Sequence, residues 1–282
     1  MKLLSSLTNR IFLATAILAV LCIGSAVYVI SARITADAER DLERGLQEAV
    51  TLVEEHRAIL SQTFSVAARL IADLPKLKAA VATNDPPTVA PLAGDYQARV
   101  RSERFVVTGR DGTVLAAFGG GQGEKAAVGH ALAGRETVSF HSHPRGVLQV
   151  VTVPITIDQP TPEILGTLSL GFLLDDDLAR RLGRVTESEI AFALDGRVLA
   201  STVAAPQRSA LDGLLATPSI AAVSLGGEDY VALAHRLAEP GLGADAGPVT
   251  LVLRSRTARL RLLRGIHGVL AGAALLDRKS VV

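Results

Sequence analysis

The feature that most constrains this chain is an uninterrupted apolar segment, Ile11–Ile30, which reads IFLATAILAVLCIGSAVYVI. It contains no charged residue and no proline. A helix of about 20 residues, rising about 1.5 Å per residue, spans the roughly 30 Å hydrocarbon core of a bilayer. The segment therefore predicts an N-terminal transmembrane helix. The alternative is a cleaved signal peptide, which would have a shorter apolar core and a cleavage site between small residues.

The charges beside this segment predict its orientation. Lys2 and Arg10 precede it, whereas Arg33 and four acids follow it, namely Asp37, Glu39, Asp41 and Glu43. Because basic flanks stay in the cytoplasm, we expect residues 1–10 to form a cytoplasmic tail and the rest of the chain to emerge on the far side of the membrane.

Composition narrows the classes of protein to consider. Charged residues make up 20% of the chain and the formal net charge is +1, which gives no general attraction to nucleic acid. The single cysteine, Cys22, lies within the apolar segment, so an intrachain disulfide is excluded. The remaining residues suffice for one large domain or two small ones.

A long helix is predicted over residues 31–74, directly after the apolar segment. Its apolar residues recur with a mean period close to 3.5, which suits a helix that packs on a second copy of the chain. The alternative is an amphipathic helix buried on its own domain. The apolar stripe consists of Leu42, Leu46, Ala49, Val53, Leu60, Ala67, Leu70 and Leu74.

Two hairpin patterns then indicate two related modules. The first reads FVVTGRDGTVLA from Phe105 and the second IAFALDGRVLAS from Ile190, each with Asp-Gly at its turn, where positive φ is required. The pair predicts an internal repeat. We place one module at 75–182 and a second, shorter one at 183–261.

These segments carry a resemblance to a known family. The texts VTGRDGTVLAAF and LGTLSLGFLLDDDLARRLGRVTESEIAFALDGRVLAST resemble the double Cache sensors of bacterial transmembrane receptors, over roughly residues 31–261. The resemblance implies an α+β chain with a long helix and two tandem PAS-like antiparallel sheets. It also implies a homodimer in the bacterial inner membrane, with a periplasmic or extracellular sensor whose membrane-distal module binds a small molecule.

The resemblance further implies a cytoplasmic output domain, of the histidine kinase, nucleotide cyclase or chemoreceptor type. The chain departs from the family in one respect, which limits what the resemblance implies about the ligand. Members that bind amino acids carry a Tyr, Arg, Trp and Asp signature, but this chain has no tryptophan and only three tyrosines: Tyr28, Tyr96 and Tyr230. That ligand specificity is not carried over.

The C-terminal residues lead to two further predictions. Residues 262–276 begin as a second transmembrane helix but stop too early to span a bilayer. Residues 277–282 read DRKSVV, which a common short-read sequencing adapter encodes in one frame. We interpret them as adapter read-through that truncates the chain before its output domain. The alternative is a genuine short basic tail.

Motifs for chemistry are missing from the sequence. It has no Walker loop, CxxC, HExxH or GxSxG, so we predict no catalytic residues, no cofactor and no metal, and no enzyme activity in this fragment. Gly119–Gly123 is interpreted as a turn. The acidic run Asp175–Asp177 is interpreted as a helix cap, with a metal site as the alternative.

The most suggestive polar cluster is Phe140-His141-Ser142-His143-Pro144-Arg145. Alternation along a strand puts the two imidazoles on one face, and Arg145 can pair with a carboxylate, which favours an anionic group on the ligand. The alternative is an exposed polar loop. The predicted ligand-binding residues are Arg101, Arg104, Phe140, His141, His143, Arg145, Gln149 and Thr152.

Two other functions compete with a sensor. The first is a membrane-tethered hydrolase using His141, His143 and Asp175, which would require those side chains to lie within hydrogen-bonding reach of each other. The second is a structural protein whose long helix mainly dimerises and whose modules hold no ligand.

Overall fold

The computed structural model describes residues 7–120, 124–157, 163–216, 219–237 and 247–257, and its class is α+β. The helices are α1 (Leu7–Ala72), α2 (Pro75–Ala82), α3 (Pro86–Val100), α4 (Lys125–Leu132), α5 (Asp176–Thr186) and α6 (Ser209–Asp212). The strands are β1 (Arg104–Gly109), β2 (Val114–Phe118), β3 (Thr137–His143), β4 (Gly146–Ile157), β5 (Glu163–Asp175), β6 (Glu189–Leu194), β7 (Arg197–Ser201), β8 (Ala221–Leu225), β9 (Glu228–Arg236) and β10 (Val249–Ser255).

The strands form two antiparallel sheets with the same topology. The first sheet has the order β2-β1-β5-β4-β3 and the second β7-β6-β10-β9-β8. Each sheet therefore places its last sequential strand against its first, and the adjacent strands β4 and β5 are the longest of the first sheet. The predicted fold class, with two tandem antiparallel modules after a long helix, is confirmed.

The predicted repeat is visible in the two Asp-Gly hairpins. In the second, Asp195 and Gly196 both have positive φ, as a two-residue turn between right-twisted strands requires. In the first, four residues, 110–113, separate β1 from β2, and of these only Gly112 has positive φ, at 80°. Each hairpin also has a register shift one or two residues before its turn, at Val107/Thr108 and at Phe192/Ala193.

The predicted apolar stripe of α1 mostly faces its own modules. Leu46, Ala49 and Val53 are fully or almost fully buried in a cluster with Phe192 and Val252 of the second sheet. Further along α1, Ala68, Ile71 and Ala72 belong to the core of the first sheet. The intramolecular alternative therefore holds for Leu46, Ala49 and Val53 of the stripe, whose apolar partner is the second sheet, whereas Leu70 of the stripe is 64% exposed.

Side-chain caps mark the start of two described helices. Asp85 caps α3 by accepting a hydrogen bond from the Thr88 N–H at 3.1 Å, so α3 begins at Pro86. Asp175 caps α5 in the same way through the Leu178 N–H at 2.9 Å, which confirms the capping interpretation. A short 3₁₀ turn, Ala205–Gln207, precedes α6.

Within the residues that the structure describes, no helix is both long enough and apolar enough to cross a membrane. Residues 262–276 and 277–282 lie outside the described part of the chain. The transmembrane helices and the module boundaries at 75, 183 and 261 stay predictions.

Candidate functional site

The first sheet has one apolar face and one polar face. Phe105, Val107, Leu168 and Leu170 alternate onto the face that packs against α1, α2 and α3. The intervening residues point to the other side, which α4 contacts through β3, β4 and β5. We call this side the α4 face.

Buried hydroxyl groups line the middle of the α4 face. Thr108 and Thr167 are hydrogen bonded at 2.7 Å, and Thr152 and Ser169 at 2.9 Å. All four residues are at most 2% exposed. Such polar residues are unusual in the centre of a sheet, and their mutual hydrogen bonds offset the cost of burying them.

A charged cluster continues the α4 face at the end of the sheet where β1 begins. Arg104 lies in register with Gly171 of β5, which in turn pairs with Val150 of β4. A Cβ on Gly171 would stand 2.7 Å from the Cβ of Arg104, so the glycine leaves the space that the arginine occupies. The Arg104 Nε–H donates to the Gly120 carbonyl at 3.1 Å. Partial burial lowers the pKa of Arg104 from its ordinary value.

His141 is the imidazole nearest the centre of the cluster. Its Nε2 lies 3.1 Å from Ser139 Oγ and 3.5 Å from the Glu124 carboxylate. Burial lowers the pKa of His141; Glu124 raises it and Arg104 lowers it further, and the net shift is downward. His141 is therefore mainly neutral at pH 7, able both to donate and to accept a hydrogen bond.

His143 and Arg145 share a different acid, Glu103. The Arg145 guanidinium lies 2.6 Å from Glu103 Oε1, and His143 Nε2 lies 3.8 Å from the same oxygen. The hydrogen bond to Glu103 raises the pKa of Arg145. Glu103 thus forms an ion pair with Arg145 within the chain, and the pairing of Arg145 with a ligand carboxylate stays a prediction.

The other predicted site residues lie elsewhere. Gln149 and Phe140 are on the face opposite α4: the Gln149 Nε2–H donates to Ser61 Oγ of α1 at 2.7 Å, and Phe140 packs against the core shared by α1 and the second sheet. Thr152 lies on the α4 face within the hydroxyl pairs. Arg101 is exposed at the C-cap of α3, with φ of 53°.

Three residues of the cluster were missed by the sequence analysis: Glu103, Glu124 and Ser139. Glu103 directly precedes β1, and Glu124 occupies the N-cap position of α4. Each is unremarkable in the sequence, since acids before strands and helices are common. Only the pairing of β3 with β4 and the position of α4 bring them to the histidines.

The proposed hydrolase geometry does not form. His141 contacts Ser139 and Glu124, His143 contacts Glu103, and Asp175 accepts the Leu178 N–H at the start of α5. The three side chains thus have separate partners rather than forming one hydrogen-bonded set. Among the described residues, no group of three His, Cys, Asp or Glu side chains is arranged to hold a metal ion.

Several solved structures share this architecture. The ligand-binding domain of the Campylobacter jejuni chemoreceptor Tlp3, in complex with 4-methylisoleucine, is 13% identical, with a TM-score of 0.52 over 80% of this chain and 93% of that one. The periplasmic domain of Vibrio cholerae LuxQ is 12% identical, with a TM-score of 0.55 over 76% and 99%. A domain of a sensory box/GGDEF family protein from Vibrio parahaemolyticus is 12% identical, with a TM-score of 0.52 over 79% and 99%.

No family model and no curated protein sequence matches the chain. At these identities the structural matches establish the fold alone. That fold is the double Cache, or double PAS-like, fold of extracytoplasmic receptor sensors, as the resemblance predicted.

Proposed function

We propose that this chain is the ligand-sensing input region of a transmembrane receptor, and that it binds a small molecule on the α4 face of the first sheet. The observation that carries the proposal is the buried polar surface of that face, with its row of hydroxyl groups ending at Arg104 and His141. It occurs in a fold that chemoreceptor ligand-binding domains share, one of which is described with 4-methylisoleucine.

The charges of the cluster favour a ligand with an anionic group. Arg104 donates to the Gly120 carbonyl rather than to a carboxylate, so its charge is available to a ligand anion. Neutral His141 and Ser139 supply hydrogen-bonding groups beside it. A charge-assisted hydrogen bond from a partly desolvated guanidinium is roughly twice as strong as a neutral one.

The contacts between the first sheet and α1 provide a route for the signal. Phe64 of α1 stacks on Phe172 of β5, with ring centroids 3.4 Å apart and planes 4° apart. Gln149 of β4 donates to Ser61 one turn earlier on α1. A ligand that shifts the strands of the first sheet therefore shifts their contacts with α1. The N-terminal part of α1 contains the predicted membrane segment Ile11–Ile30. Ligand binding would shift the receptor only through its different affinity for two states.

A second copy of the chain is the proposed partner of α1. Six exposed residues of α1 follow one another in alternating steps of four and three, the spacing of a coiled-coil seam: Leu52, His56, Ile59, Thr63, Val66 and Leu70. The four apolar ones are 48%, 63%, 41% and 64% exposed. The seam shares Leu70 with the apolar stripe that the sequence predicted, and its other apolar residues lie beside that stripe. Two chains anchored in one membrane would pair it in parallel.

A binding screen tests the ligand proposal. The purified chain, in detergent, is screened by thermal shift against carboxylates, amines and metal ions, and any hit is measured by calorimetry. We expect a carboxylate to bind, and Arg104→Gln to weaken it by about tenfold or more. Arg99→Gln, on the exposed side of α3, is the matched control. A complete absence of hits, or equal affinity in the Arg104 variant, would contradict the proposal.

A further inference from the structure

A cavity of about 530 Å³ lies between β3 of the first sheet and the second sheet. Its volume is within the range of small-molecule sites, and such sites occur preferentially between domains. The cavity is separate from the hydroxyl pairs of the α4 face, because most of its lining residues belong to β6, α6, β10 and the segments beside them.

The floor of the cavity is apolar. Ala193, Leu215 and Val249 line it and are at most 7% exposed, and all three belong to the hydrophobic core of the second sheet. An apolar group of a ligand placed there would be removed from water, which stabilises binding by about 0.8 kcal/mol per methylene group buried.

The rim of the cavity is acidic. Glu124, Asp195 and Asp212 line it, and Arg236 is the one cation among the described lining residues. Asp212 accepts the Val198 N–H at 2.9 Å, and this contact fixes its position. Asp195 sits at the hairpin turn with φ of 53°. Three carboxylates beside an apolar floor form a surface that complements a positive charge carried on an aliphatic chain.

We propose that this cavity is a second binding site, which takes a small aliphatic amine. The ammonium group is held by the carboxylates of Asp195 and Asp212, and the alkyl chain lies on the floor formed by Ala193, Leu215 and Val249. This site is additional to the one proposed on the α4 face, and it places a ligand between the two modules.

Two residues connect this site to the first cluster. Glu124 and Ser139 line the cavity, and both also contact His141, at 3.5 Å and 3.1 Å. An ammonium group that draws Glu124 into the cavity removes the carboxylate that raises the pKa of His141. Occupancy of either site therefore alters the other, and thermodynamic linkage makes the effect reciprocal.

Calorimetry with simple amines tests the site on the full chain. The probes are n-butylamine and 1,4-diaminobutane, with butan-1-ol as the uncharged analogue. We expect both amines to bind and the alcohol to bind at least about tenfold more weakly, since it lacks the charge-assisted hydrogen bonds. Absence of amine binding to the wild-type chain at millimolar concentration overturns the proposal.

Two substitutions locate the binding without disturbing the fold. Asp195→Asn keeps a residue type that tolerates positive φ, and Asp212→Asn keeps an oxygen to accept the Val198 N–H. Each should weaken amine binding by about tenfold or more. The matched control is Asp111→Asn, at the corresponding turn of the first hairpin, which should bind as the wild type does.

The same measurements separate this site from the α4 face. Arg104→Gln should leave amine affinity within about twofold of the wild type, because Arg104 does not line the cavity. Amine binding that is unchanged in both the Asp195 and Asp212 variants places the amine elsewhere and overturns the inference, whether or not a carboxylate binds at Arg104.

Discussion

Gln149 of β4 donates a hydrogen bond of 2.7 Å to Ser61 of α1, and both side chains are buried. Gln149 is one of the predicted ligand-binding residues. In the structure its amide is a polar link between β4 of the first sheet and the long helix. The link crosses an otherwise apolar interface, so it constrains how α1 can shift relative to β4 without breaking a buried hydrogen bond.

Ser61→Ala should destabilise the protein by about 1–3 kcal/mol, because it leaves the buried Gln149 amide without its acceptor. Urea unfolding measures the change. The double variant Ser61→Ala with Gln149→Leu should recover much of that stability, since it replaces both polar partners with apolar groups. The hydrogen bond would not be the source of the loss if the double variant lost more free energy of unfolding than the two single variants together.

Gly171→Ala tests the space beside Arg104. The added Cβ would lie 2.7 Å from Arg104 Cβ and 3.2 Å from Leu148 Cδ1, so we expect a loss of about 1–3 kcal/mol in the free energy of unfolding. Gly129→Ala is the control, because nothing lies within 4 Å of a Cβ there and α4 should gain about 0.5–1 kcal/mol. Equal stability of the two variants would show that Gly171 is not required for packing.

Acidification should destabilise the protein through His141. Burial lowers its pKa in the folded state, so the unfolded chain binds the proton more readily. The stabilisation from neutral His141 is complete above its ordinary value of about 6.5 and is lost as the pH falls through the lower folded-state pKa. Unfolding curves between pH 7.5 and 5 should show a steeper loss for the wild type than for His141→Asn.

Glu124→Gln is a second variant for the pH-dependent unfolding experiment, and it should shift the pH dependence rather than remove it. It removes the carboxylate that raises the pKa of His141, so the loss of stability should extend to lower pH than in the wild type. A profile that is identical in all three proteins would mean that His141 does not titrate differently in the folded and unfolded chains.

Ile59→Glu should disrupt the proposed homodimer, because it places a charge at the centre of the exposed seam of α1. Sedimentation velocity of the purified chain in detergent is the measurement, and we expect a shift from dimer to monomer. Ala58→Glu, exposed but outside the seam, should stay dimeric. A monomeric wild type, or a dimer that survives the Ile59 substitution, would reject this seam.

Local sequence signals predicted elements of both modules. The two Asp-Gly turns and the cap at Asp175 each depend on neighbouring residues, and the structure contains each of them. The site depends more on tertiary contacts. Arg104, His141, His143 and Arg145 gather at one end of the sheet, but their partners Glu103 and Glu124 carry no distinctive signal in the sequence. Gln149 and Phe140 lie on the face opposite α4, and their role in ligand binding stays a prediction.

The prediction of a membrane segment at Ile11–Ile30 comes from the sequence alone, because it needs only the hydropathy of 20 consecutive residues, and it stays a prediction. The repeated hairpins also follow from the sequence alone, because their turns depend on residues next to one another. Tertiary structure decided which face of α1 is buried, and which acids meet the histidines. Gln149 and Ser61 are 88 residues apart, and no local pattern links them. Such contacts depend on the register of strands and on the packing of a helix across a sheet, and these are properties of the folded chain as a whole.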